Sequence, residues 1–246
     1  MQRMTTAKPL RSDGEQARQR LLLAALECFA THGYSKASVR DIAECAQANV
    51  AAIRYYFGDK AGLYRAVFTD PAFNPPLASA QQPPADLRSA IQAVVQGLLA
   101  PLKAGDAARW FVRLYFREMV EPSDVWQGEV PCQSQMQAVH ALLLPLLAQH
   151  LGMAESAAQA DDDVHALVFE LLSLGSSLYL GEGLLNAIRP QLLQDLPALE
   201  RYQQRLEGYA FALVNAEAQR RGLSVPPLGP SGARPLAERP QHFRLL

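Results

Sequence analysis

The sequence predicts an all-α fold in which a small N-terminal three-helix unit precedes a larger helical bundle. Three observations carry that prediction. Apolar residues recur at i, i+3, i+4 and i+7 and almost never alternate as a half-buried strand requires. Two proline clusters, Pro71, Pro75, Pro76, Pro83 and Pro84, then Pro226, Pro227, Pro230, Pro235 and Pro240, cut the chain into three parts. The chain has 246 residues, 49% hydrophobic and 19% charged, enough for one compact domain or two small ones with a core.

The first helix is expected over residues 15–32, where Leu22, Ala25, Leu26 and Phe29 form one stripe and Gly33 supplies a left-handed end. The second begins at Ser38, whose hydroxyl can cap the amides of Val39, Arg40 and Asp41 ahead of Ile42, Ala43 and Ala46. A third starts at Asn49 and is expected to bury Val50, Ile53 and Phe57. Gly58 breaks it, and Asp59 caps a fourth helix carrying Leu63, Ala66 and Val67. Longer helices of bundle length are expected at about 85–104, 107–120, 133–150, 163–180 and 196–221. The last two present continuous stripes: Val164, Leu167, Val168, Leu171, Leu172, Gly175, Leu178 and Tyr179, then Leu199, Tyr202, Leu206, Tyr209, Ala210 and Leu213. Residues 1–14 read as a flexible arm, and 223–246, rich in proline and poor in apolar groups, as a disordered tail.

Net charge is −1, so the whole molecule has no polyelectrolyte character. Residues 1–70 nevertheless hold 10 Lys and Arg against 7 Asp and Glu, so the front unit is the basic part. Cys28, Cys45 and Cys132 include no Cys-x-x-Cys pair, which favours a reducing, cytoplasmic setting. No apolar run approaches the roughly 20 residues of a membrane helix, and no signal-peptide core opens the chain. Gly-x-Ser-x-Gly, a phosphate-binding glycine loop and His-Glu-x-x-His are all missing, so no catalytic residue and no cofactor is assigned. Asp161, Asp162, Asp163 and His165 read better as acids at a helix N-terminus than as ligands, so no metal is assigned either.

Two short helices joined by a tight turn over residues 46–49, behind a longer one, describe a helix-turn-helix whose second helix fits a DNA major groove. Its outward side is expected to hold Asn49, Ala51, Ala52, Arg54, Tyr55 and Tyr56. Arg54 can pair with guanine, Asn49 with adenine or a phosphate, and Tyr55 and Tyr56 with phosphates or thymine methyls. Ser38, Arg40 and Val50 complete the candidate contacts, and Lys60 at the next helix start combines charge with free amides as a phosphate clamp.

The stretch Gly33-Tyr34, then Ser38 to Ala43, and above all Ile53-Arg54-Tyr55-Tyr56-Phe57-Gly58-Asp59-Lys60-Ala61-Gly62-Leu63 resembles the DNA-binding domain of TetR-family regulators over about residues 15–69. Arg117-Glu118-Met119 and Glu121-Pro122 are similar to the ligand domain of the family's CecR-like branch. The resemblance implies a double-stranded DNA operator, a small-molecule effector of unnamed identity, a homodimer, and repression relieved by the effector. It places ligand binding and dimerisation in residues 70–222. The family's glycine at the turn is here Gln47, which either takes a left-handed backbone or forces a different turn.

For the pocket, Trp110, Arg113, Leu114, Arg117, Trp126, Met136, His140 and Tyr179 mix bulky apolar groups with a few polar ones. Such residues at helical spacing are more often plain core, so the pocket rests on the resemblance. A single reader contacts too few base pairs, which makes pairing a mechanical requirement. Leu167, Leu171, Gly175, Leu178, Tyr202, Leu206, Tyr209 and Leu213 are the candidate dimer contacts; the alternative is that they face the subunit's own core. The rival function is a helical protein-interaction adaptor that does not bind DNA.

Overall fold

Caps and stripes place the helices of the front unit. In the computed structural model, which describes residues 10–73, 84–126 and 131–229, these are α1 (Leu10–Lys36), α2 (Val39–Cys45), α3 (Val50–Phe57) and α4 (Lys60–Thr69). Leu22, Leu26, Phe29, Ile42, Leu63 and Val67 are fully buried between them. The first helix starts earlier than expected, so residues 10–14 are helical, and it resumes after a break at Gly33. Gly33 has φ +77° and ψ 167°, a conformation essentially reserved for glycine rather than the left-handed cap expected. A Cβ there would lie 2.7 Å from Arg117 Nη1.

The body comprises α5 (Leu87–Lys103), α6 (Asp106–Val120), α7 (Pro131–His150), α8 (Glu155–Gln159), α9 (Asp162–Ser173), α10 (Ser177–Leu180), α11 (Glu182–Ile188) and α12 (Leu196–Arg220). Asp86 and Ser89 cap α5 reciprocally, Asp161 caps α9 and Asp195 caps α12. Helix α6 runs against α1 and joins body to front unit, while α12 packs on α5 and α9. Among the described residues no helix is long and apolar enough to cross a membrane.

The body differs from expectation in three respects. The helix expected over 163–180 breaks after Ser173, and at the break Gly175 meets α5 so closely that a Cβ would lie 2.8 Å from Leu98 Cδ1. Gly175 thus serves an approach inside the subunit. Leu167, Leu171, Leu178 and Leu206 are likewise buried in the subunit's own core, because the most apolar face of each helix turns inward. Tyr202 and Leu213 are half-buried and Tyr209 is exposed; the outward apolar residues include Phe169, Leu180, Leu184 and Ile188. Finally, residues 223–229 are not free of the body. Leu223, Val225 and Leu228 lie against the core, and the Asn215 side chain accepts from Leu228 N and donates to its carbonyl, at 2.7 and 2.8 Å. The remaining tail, 230–246, and the first part of the arm, 1–9, lie outside the described residues.

The acids at the start of α9 are engaged in ion pairs with the end of α12. Arg221 reaches Asp161 at 2.7 Å and Arg220 reaches Asp163 at 2.6 Å. The Arg221 guanidinium holds the Asp161 carboxyl far below the ordinary carboxylate range.

The turn between α2 and α3 keeps the geometry a glycine would give it. Gln47 takes φ +52°, Gln47 N donates to Glu44 O, and Ala48 N donates to Ala43 O, both at 2.9 Å. A side chain in that conformation costs about 1–2 kcal/mol. Gln47→Gly, after the extra freedom of glycine in the unfolded chain is subtracted, is expected to stabilise by about 0.5–1 kcal/mol and raise Tm by about 1–4 °C. Thermal unfolding of the two proteins checks it; a lowered Tm contradicts the strain.

Candidate nucleic-acid interface

Three consecutive caps build the surface. Ser38 Oγ accepts from Arg40 N at 3.2 Å and from Asp41 N at 3.4 Å, Asn49 Oδ1 from Ala51 N at 2.8 Å, and Asp59 Oδ1 from Gly62 N at 2.7 Å. They start α2, α3 and α4 in turn, and an open groove of about 920 Å³ runs between them, lined by Ser38, Arg40, Val50, Arg54 and Lys60 among others. The first turn of α4 has no spare room against the end of α3. A Cβ on Gly62 would lie 1.9 Å from Phe57 O, whereas one on Gly58 would meet nothing within 4 Å.

On α3 only Ile53 is buried. Arg54, Ala51 and Asn49 are exposed, and Tyr55 is 82% exposed, as its outward placement requires. Val50 departs from its expected core position: it is 42% exposed, because it faces the open groove between the three caps. Ala52 and Tyr56 go the other way and pack partly against the core, with Tyr56 near Gly14 of α1. Arg40 is exposed. Lys60 is not a free clamp: Nζ donates to Ser35 O at 3.3 Å and sits 4.7 Å from the centre of the Tyr34 ring. It thereby steadies the end of α1 at the edge of the groove. Behind this surface, burial pushes the Cys28 thiol up, against a hydrogen bond from the Ser38 backbone, and burial and nearby Asp124 and Asp59 push the Tyr34 phenol up.

The reader meets the body through a junction that the local sequence pattern does not announce. Glu118 on α6 is 2% exposed; its Oε2 accepts from Tyr64 OH of α4 at 2.5 Å, and its Oε1 from Ser123 N and Oγ at 2.9 and 2.8 Å. Arg65 Nη1 donates to Val125 O at 3.2 Å, and Phe68 and Tyr64 pack on Trp126. The available signal was an acid on the apolar face of a helix, Glu118 in step with Leu114 and Tyr115.

The residues expected to line a ligand pocket each have partners inside the subunit or lie at its surface. Trp126 belongs to this junction, and Arg117 caps the first helix through Nη2 to Thr31 O at 3.4 Å. Arg113 is exposed, because α6 buries the opposite face through Phe111, Leu114, Tyr115 and Glu118. Leu114 is fully buried core, and Trp110 and Met136 are half-buried. Tyr179 donates to Leu98 O and stacks on Phe116, and burial pushes its phenol up. His140 pairs with His165, Nε2 to Nδ1 2.9 Å, while His165 Nε2 faces Gln159 O at 3.0 Å. Burial and the second ring hold the His140 imidazole below its ordinary value.

Comparison with known proteins agrees with this geometry. Residues 21–67 match the model of bacterial regulatory proteins, tetR family, and residues 87–216 that of the HTH-type transcriptional dual regulator CecR, C-terminal domain. The chain is 30% identical over 173 residues to the HTH-type transcriptional dual regulator CecR of Shigella flexneri, covering 65% of this chain and 76% of that one. It is 41% identical over 56 residues to the HTH-type transcriptional repressor AcnR of Corynebacterium glutamicum, 23% and 30% of the two lengths. Among solved structures, a TetR-like transcriptional regulator from Rhodococcus sp. RHA1 superposes with TM-score 0.53 at 18% identity, covering 80% of this chain and 96% of that one. A linker-substituted HlyIIR mutant protein does so with TM-score 0.50 at 20% identity, covering 79% and 95%. These two likenesses are ones of fold.

Gly62→Ala is expected to push α4 off the Phe57 carbonyl, costing about 1–3 kcal/mol, where Gly58→Ala meets only backbone strain of about 1 kcal/mol. Urea unfolding ranks the two; equal stability of Gly62→Ala and the parent contradicts the close approach.

Proposed function

This chain belongs to the TetR family of bacterial transcriptional regulators, and from that premise we propose that it binds a palindromic operator as a homodimer, represses the genes beside it and is released by a small molecule. The observation that carries the reading is the projecting α3, with Ile53 anchored below and Arg54 and Tyr55 exposed above. Arg40 on α2 and Tyr55 on α3, both exposed, are the groups we assign to phosphates, with Ser38 beside them at the α2 cap.

Pairing follows from the reader's size. Two copies of α3 must sit about 34–36 Å apart to enter successive turns of the major groove. We assign the contact between subunits to the outward apolar groups of α9 to α12, with Phe169 and Tyr209 at its centre and Tyr202 and Leu213 at its edge. Leu180, Leu184 and Ile188 are further outward apolar groups, on α10 and α11. An effector held in the body, among the helices of residues 85–180, would act on the reader through α6, since α6 touches both α1 and α4. Differential affinity of a few kcal/mol for the two arrangements suffices.

Selection of genomic fragments at controlled salt tests the reading directly. Binding is expected to fall steeply as salt rises. Arg40→Ala should lower the slope of log K against log salt by about 1, and Arg54→Ala should cost about 1–3 kcal/mol and relax the preference at one base pair. Failure to retain any duplex, the promoter region of its own gene included, would leave the adaptor alternative instead.

A further inference from the structure

The operator-binding reading leaves open which bases are read, and the surface of α3 narrows them. Arg54 is the one charged side chain on the helix, and among the described residues it has no ion-pair or hydrogen-bond partner. Ahead of it, one turn earlier, stand Val50 and Ala51, both exposed. Val50 shares its stripe with Arg54 at i+4, and the two line the same groove. Asn49, the remaining polar group at this end, has its Oδ1 committed to the Ala51 amide. Because that bond holds Oδ1 against the helix backbone, Nδ2 is the part of the amide left to donate outward, to a phosphate oxygen, rather than O and N facing an adenine together.

The leading turn of the reader therefore offers methyl groups and no polar fork. In the major groove the feature that matches a methyl is the C5-methyl of thymine, and the feature that matches an unpaired guanidinium is the O6/N7 edge of guanine. Exposure of Val50 in the free protein is what such a contact requires, since its apolar surface is covered only when the groove is occupied.

Resting on the operator-binding reading above, we propose that Val50 and Ala51 set specificity by reading thymine methyl groups, next to a guanine read by Arg54. Each half-site then contains adjacent thymine-bearing pairs flanked by a G·C pair.

The test uses the full-length protein and the operator recovered by selection. Each half-site thymine is replaced by deoxyuridine, which removes one methyl and leaves every hydrogen-bonding group in place. Loss of a buried methyl corresponds to about three- to fourfold in affinity, and to about tenfold when the change is made in both half-sites. Val50→Ser should abolish the penalty at one thymine, and Val50→Thr, which keeps a methyl, should retain it. Both variants alter an exposed side chain outside the core, and circular dichroism checks that they fold. Undiminished affinity for the fully deoxyuridine-substituted operator, or recovered half-sites without thymine, overturns the proposal while leaving operator binding intact. Recovery of no duplex at all overturns both.

Discussion

One buried carboxyl group holds the reading head to the rest of the molecule. Glu118, on the inner face of α6, accepts from Tyr64 of α4 with one oxygen and from both donors of Ser123 with the other. A polar group removed from water is stable only when its hydrogen bonds are supplied, and here the donors come from the head on one side and the loop after α6 on the other. The position of α4 is thereby tied to that of α6. Because Asp59 and Gly62 lock the start of α4 to the end of α3, the constraint passes on to the recognition helix.

A second tie lies one residue earlier. Arg117 projects to the end of α1, where its guanidinium reaches Thr31 O and fills the space that a side chain at Gly33 would need. Adjacent residues of one helix thus grip two helices of the head: Arg117 takes α1 and Glu118 takes α4. Through these two contacts α6 is the element by which the body is tied to the head.

The front unit was legible in the sequence because its signals are local. Ser38, Asn49 and Asp59 each cap the helix they announce, and the stripe through Leu22, Leu26 and Phe29 is buried as its spacing implies. Gln47 was recognisable as the residue at a left-handed position, though only the structure chose between strain and a different turn. The body was less legible. Its stripes at Leu167, Leu171 and Leu206 show that one face is buried, but periodicity cannot say whether another subunit or the chain's own core does the burying. Helices α8 and α11, of five and seven residues, are too short to show a stripe at all. The roles of Arg117 and Glu118 depend on partners 86 and 54 residues away, which no local pattern records.

The proposed role of this junction is to set the spacing of two readers. The most direct measurement compares Tyr64→Phe with the parent protein on two duplexes, the full operator and a single half-site. Loss of the Tyr64 hydroxyl leaves a buried acceptor on Glu118 short of a donor, a cost of about 1–3 kcal/mol. The account predicts weaker binding to the full operator by about tenfold and unchanged binding to the half-site, since α3 itself is untouched. Equal affinity of the variant and the parent for both duplexes would contradict it.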